Sequence, residues 1–235
     1  MRNRIRRLAA GALACGLLLP LAGAPVTATA GRYDFYDLRK APKPKVTGAE
    51  IIAGLEDFVS RFPMRQQGLP NNVAAAEFLA AEAKKNGFKS RVLEFDSGSS
   101  TPTRDTIRMV EAVKKGTEKP NEWIAFVAHY DVVPGVGATV QGAYDDGSGT
   151  NMLRFFGKAF SKIKTDRSIA LLWFDAEENG LLASQAYTEM LAKKGQKIHA
   201  ALGFDMVGIG HPAPYCICIY HGPNLPSDPE LALPV

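Results

Sequence analysis

SIALLWFDAEEN, residues 168–179, passes from an almost unbroken apolar run into three acids within four positions. A strand exposed on one face alternates apolar and polar residues. A continuous run of this length therefore reads as a strand covered on both faces. The acids Asp175, Glu177 and Glu178 then fall at its carboxyl end. The same shape recurs twice. Glu122–Val127 (EWIAFV) leads into His129-Tyr130-Asp131, and Ala200–Phe204 leads into Asp205. Residues 147–160 and 181–194 have helical character and lie between these strands. Strands alternating with helices imply an α/β sandwich with helices on both faces of the sheet. In such folds the crevice outside the carboxyl ends of the strands is where sites form.

The rest of the chain fits this frame. Thr47-Gly48-Ala49-Glu50 is a capping box, followed by Ile51, Ile52, Leu55, Phe58 and Val59 at helical spacing and a stop at Phe62-Pro63. A second, alanine-rich helix is expected from Asn72 to about Lys85, closed by Asn86-Gly87. Short strands are expected at Ser90–Phe95, Asp105–Ala112 and Tyr215–Tyr220.

The first thirty residues read differently. MRNRIRR holds four arginines and no acid, an apolar run with Pro20 follows, and Ala28-Thr29-Ala30 precedes Gly31. That is the pattern of a secretory signal peptide cleaved near Ala30-Gly31, and the run is short for a membrane anchor. The expected organisation is a signal peptide at 1–30, an extended leader at 31–46 and one domain over 47–235. The location is extracellular or periplasmic, with no stable membrane association after cleavage. Of the 28 basic residues four lie in the signal, which leaves 24 against 24 acids. A net charge near zero gives no support to nucleic-acid binding. Cys216 and Cys218 are two apart and would share a strand face. They read as small buried hydrophobes rather than a metal or redox pair.

GAYDDGSGT, residues 142–150, sets Asp145 beside Asp146 in a glycine-rich turn. Singly, each candidate has a plain reading. A histidine at a strand end is often only polar, acids favour helix starts, and a lone aspartate can cap a helix or make a turn. Together, His129, Asp145, Glu178 and Asp205 place one imidazole and several carboxylates at strand ends. That set suits zinc or a similar first-row dication, which would cancel the mutual repulsion of the acids.

AHYDVVPGVGATVQGAYDDGSG, WFDAEENGLLAS and FDMVG, in that order, resemble the co-catalytic zinc aminopeptidases of the aminopeptidase Y and bacterial leucyl aminopeptidase type, metallopeptidase family 28. The resemblance implies a three-layer sandwich with a central mixed, mostly parallel sheet flanked by helices. It implies zinc and peptide substrates. His129 and Asp205 would bind one ion, Asp145 would bridge to a second, and Glu178 would bind that second ion. Glu177 would be the general base, and Asp131 would accept the other ring N–H of His129. Asp146 would orient its loop through backbone N–H groups. The family's further histidine ligand has no counterpart among His199, His211 and His221. The expectation is therefore a domain missing its last strands and helix, with one ion held well and a second weakly. A monomeric, secreted metal-dependent aminopeptidase is the leading reading. The alternatives are an impaired metal- or peptide-binding remnant, or a relative of glutaminyl-cyclase or carboxypeptidase type.

Overall fold

The computed structural model describes residues 45–98, 106–135 and 140–208. The expected signal peptide at 1–30, nearly all of the leader, the strand at 215–220 with Cys216 and Cys218, and His211 and His221 lie outside the described residues.

Helix α1 (Gly48–Arg61) starts where the capping box predicts. Thr47 Oγ1 accepts from the Glu50 amide at 3.2 Å, and the Glu50 carboxylate accepts from the Thr47 amide at 2.8 Å. Helix α2 (Pro70–Lys85) opens two residues before the expected Asn72, because Pro70 occupies the first turn, where a missing N–H costs nothing. The remaining elements are β1 (Lys89–Asp96), β2 (Thr106–Lys114), β3 (Lys119–His129), α3 (Ser148–Phe160), β4 (Arg167–Phe174), α4 (Leu182–Lys193) and β5 (Lys197–Gly203). No helix among the described residues is long and apolar enough to cross a membrane.

The five strands form one sheet in the order β1-β2-β4-β3-β5. β2 is antiparallel to both β1 and β4, while β3 is parallel to both β4 and β5. Only β2 runs against the others, so the sheet is mixed and mostly of one direction, as expected. Successive side chains on a strand point to opposite faces, and β4 uses both. Ile169, Leu171 and Trp173 pack with Phe58, Ala76 and Leu79 of α1 and α2 and Leu153 of α3. Ala170, Leu172 and Phe174 pack with Ala183, Tyr187 and Leu191 of α4. This is the three-layer arrangement that the unbroken apolar run requires.

The chain steps from β3 to β4 on one side and then to β5 on the other side of β3. That reversal makes the carboxyl end of β3 the switch point of an open α/β sheet, the place where sites form in such folds.

Candidate functional site

Strand register assembles the site. His129 pairs with Phe174, so the residues after β4 begin directly beside His129. The Tyr130 amide continues the ladder by donating to Phe174 O at 2.9 Å. Val127 pairs with Gly203, and Phe204 N donates to Val127 O at 2.8 Å. Two residues further along this register, Asp205 reaches His129. The amino end of α3 closes the fourth side. Thr150 Oγ1 donates to His129 O at 2.7 Å, and Trp173 Nε1 donates to Thr150 O at 3.1 Å.

The imidazole of His129 is buried and lies at the centre. Its Nδ1 is 3.2 Å from Asp131 Oδ1, the partnership expected for Asp131. Its Nε2 is 3.0 Å from Asp145 Oδ1, 3.7 Å from Asp205 Oδ1 and 4.0 Å from Glu177 Oε2. Asp131, wholly buried, has a second task. It accepts from the backbone amides of Glu177 at 3.2 Å and Glu178 at 3.3 Å, tying the β4 loop to the β3 end.

The peptide between Asp145 and Asp146 is cis, and the two carboxylates have opposite environments. Asp145 is 48% exposed, whereas Asp146 is fully buried. Asp146 Oδ1 accepts from Gly149 N at 2.7 Å and from Met206 N at 3.3 Å. Asp146 thus fixes the start of α3 and the Asp205 segment together, in line with the loop-orienting part expected of it. Gly149 permits the approach, since a Cβ there would overlap Phe204 O and lie 2.5 Å from Asp146 Oδ2.

Crowded acids shift one another. Burial raises Asp146 to about 8, helped by the charge of Asp205 and opposed by His129 and the amides of Gly149 and Met206. Burial would lower the His129 imidazolium, but the hydrogen bond to Asp131 and the charges of Asp131, Asp146 and Glu177 outweigh it, raising the group to about 10. Burial first, then neighbouring acids, raise Glu177 and Glu178 above the usual carboxylate range, against the pull of His129. The site therefore favours protonation of its acids and of His129.

Two groups have ligand atoms within 4.8 Å of one another: His129 with Asp146 and Asp205, and His129 with Glu177 and Glu178. Of the expected ligands, His129, Glu178 and Asp205 enter these groups. Asp145 lies 3.0 Å from His129 Nε2 outside both groups, and Asp146 enters the first of them. The donor set fits a first-row dication: one imidazole nitrogen, several carboxylate oxygens, and a buried Asp146 Oδ2 with no hydrogen-bond partner among the described residues.

The sequence assigns no role to three supporting residues. Asp175, fully buried, accepts from Asn72 Nδ2 at 2.8 Å, Arg108 N at 3.1 Å and Ala176 N at 2.8 Å. Burial and the nearby Asp131 raise it to about 7, against the pull of those three donors. Asn72 also donates to Arg65 O at 3.1 Å. Arg65 itself is fully buried and donates to the carbonyls of Tyr130, Gln141 and Gly142 around the site. For Asp175 the only sequence sign was its place after an apolar strand. For Arg65 and Asn72 there was none.

Known proteins match this architecture. Aminopeptidase YwaD of Bacillus subtilis is 27% identical over 75% of this chain and 38% of its own length. A Zn-dependent exopeptidase from Parabacteroides distasonis superposes with a TM-score of 0.60 at 20% identity, over 70% of this chain and 63% of that one. The glutaminyl cyclase of Porphyromonas gingivalis superposes equally well, with a TM-score of 0.60 at 22% identity, over 69% and 60% of the two chains. The chain thus spans well under half the length of YwaD and less than two thirds of these two solved chains. The profile described as peptidase family M28 matches residues 109–230, more than half of the chain and the whole run from β2 through His129, Asp145, Glu177, Glu178 and Asp205. The chain belongs to peptidase family M28.

Proposed function

We propose that this chain is a secreted, zinc-dependent exopeptidase of aminopeptidase type, removing N-terminal residues from peptides with Glu177 as general base. One observation carries the reading. Acids from three separate loops, Asp145, Glu177 and Asp205, converge within 4.0 Å of a single imidazole nitrogen. The aminopeptidase name of the B. subtilis relative supports peptide substrates. Export rests on the basic, apolar and small-residue pattern of residues 1–30.

His129, Glu178 and Asp205 would hold zinc together with Asp145, which lies against His129 Nε2, while the buried Asp146 stays close to the same set. When bound, zinc supplies a Lewis acid for the scissile carbonyl and acidifies a water. Glu177 is 33% exposed, lies 4.0 Å from His129 Nε2, and has a raised proton affinity. Such a carboxylate can take a proton from water and return it to the leaving amine. Asp131 fixes the His129 ring and, through two backbone amides, the turn that carries Glu177 and Glu178.

A single well-held ion is part of the proposal. His129 Nδ1 is engaged with Asp131, which leaves one ring nitrogen, and both candidate ligand groups draw on His129. One nitrogen serves one ion, so among the described residues a second ion would rest on carboxylates alone and bind more weakly.

A glutaminyl-cyclase reading draws on the equal structural likeness to the P. gingivalis enzyme. Hydrolysis of aminoacyl-anilides by the purified chain, with zinc and after chelation, separates the two. Zinc-dependent release of the anilide upholds the peptidase. Ammonia release from a peptide with N-terminal glutamine, without anilide hydrolysis, selects the cyclase. Neither activity defeats both enzymatic readings. Metal analysis finding two tightly bound zincs per chain refutes the single-ion part.

A further inference from the structure

The connection between α1 and α2 carries a buried cation that the chemistry above does not use. Arg65 is fully buried, and its guanidinium donates to four main-chain carbonyls. Nε donates to Tyr130 O at 2.7 Å, and Nη1 to Gln141 O at 2.7 Å and Phe62 O at 3.1 Å. Nη2 donates to Gly142 O at 2.9 Å, and the group also lies 4.9 Å from the centre of the Phe58 ring. None of these partners is a carboxylate. Burying a charge costs several kcal/mol unless its donors are met, and here carbonyl dipoles meet them. Burial lowers the group to about 10, opposed by the charges of Asp131 and Asp146, so it stays a cation at neutral pH.

Those carbonyls are the joints of the site. Tyr130 lies between His129 and Asp131, and Gln141 and Gly142 lead into the Asp145 turn. One planar group therefore clamps the end of β3 to the acid-bearing turn. The fit is close. Gly142 has a left-handed backbone (φ 56), and a Cβ on it would overlap Val132 Cγ1 and lie 2.9 Å from Arg65 Nη2. Gly142 O also accepts from Gly147 N at 2.9 Å, which closes the turn around Asp145 and Asp146. The neighbours of Arg65 grip the same segment: Met64 N donates to Val140 O at 3.0 Å, and Gln66 Nε2 donates to Val133 O at 3.1 Å.

We propose that Arg65 is a positioning residue, which holds the Asp145 turn against the end of β3 so that Asp145 faces His129 before any metal arrives. The inference rests on the metal-dependent reading above. The clamp holds the backbone of the turn, at Gln141 and Gly142, so it sets where Asp145 lies independently of the charge on the acids. A lysine cannot replace it, because one ammonium on a flexible stem does not reproduce the planar fork.

The test compares the full chain with R65K and R154K. Arg154 is another guanidinium fork, bonded to Glu82, the Gly54 carbonyl and Asn151 on α1–α3, and controls for lost stability. Zinc affinity is measured by competition with a chromophoric chelator, Co2+ binding by its d–d absorption, and folding by thermal midpoint. R65K is expected to weaken zinc binding about tenfold or more, the loss typical when support around metal ligands is removed, and to change the Co2+ spectrum. R154K should lower the midpoint and leave both metal readouts unchanged. Equal zinc affinity and identical Co2+ spectra in folded R65K and the unmodified chain overturn the inference while leaving the proposed function intact. An unmodified chain that takes up no zinc sinks the proposed function, and the inference with it. Should R65K fail to fold, Gly142→Ala presses on the same contact and must weaken zinc binding likewise; unchanged affinity there overturns the inference.

Discussion

Asp145 and Asp146 are neighbours of identical chemistry, yet one faces the crevice and the other is sealed beneath it. The same division runs through the whole site. Asp131, Asp146 and Asp175 are fully buried, and each accepts from at least two backbone amides. Asp145, Glu177 and Asp205 are between 33% and 55% exposed and converge on His129 Nε2. Backbone N–H groups available at a strand end decide which acid does which job. A carboxylate oxygen that meets them holds loops, and one that does not, such as Asp146 Oδ2 or the exposed acids, is free to meet a cation or a proton.

The largest expected effect tests the exposed set. Glu177→Gln keeps the shape of the side chain and removes its ability to cycle a proton. It should cut kcat by about 10²–10⁴, with a urea midpoint close to that of the unmodified chain. Activity that survives the change would end the base assignment and blur the division between the two sets.

The buried set should answer in the opposite currency. Asp175→Ala strips a partner from Asn72, Arg108 N and Ala176 N at once. Leaving buried donors unmet costs about 1–3 kcal/mol, which urea unfolding would report as a lower midpoint at unchanged slope. An unaltered midpoint would mean that Asp175 is not structural. Asp175→Asn, which keeps an acceptor, should recover part of the loss.

Much of this division was hidden in the sequence, though its setting was not. The run SIALLWF and the polar residues after three apolar strands placed the crevice, because burial on both faces and the site at strand ends are both local consequences of pattern. The capping box at Thr47 was legible for the same reason. The order β1-β2-β4-β3-β5 was not, since alternation along a strand says which face is covered but not which strand lies beside it. Arg65 was invisible because three of its four partners lie 65 to 77 residues away and are main-chain carbonyls, which every residue offers. The choice between Asp145 and Asp146 was equally obscured. It depends on which carboxylate the turn aims at Gly149 N and Met206 N, a matter of backbone path rather than residue type.

The smallest effect concerns an acid that belongs to neither set, at the far end of the strand that carries His129. Glu122 accepts from Arg167 Nε and Lys197 Nζ, each at 2.8 Å, across the three parallel strands β4, β3 and β5. The hydrogen bonds from Lys197 and Arg167 lower its pKa to about 2, against slight desolvation. In the unfolded chain it titrates near 4.5, so folding favours the ionised form. Its contribution to stability is present above about pH 4.5 and disappears as pH falls toward about 2. Thermal midpoints measured across that window should fall less steeply in Glu122→Gln than in the unmodified chain, while the two run nearly parallel above it. Exposed pairs are weak and screened. The difference between the two curves should therefore shrink at about 1 M salt, where the screening length is about 3 Å. A difference that salt leaves untouched would mean that Glu122 acts by packing rather than charge, and would align it with the buried acids instead of setting it apart from them.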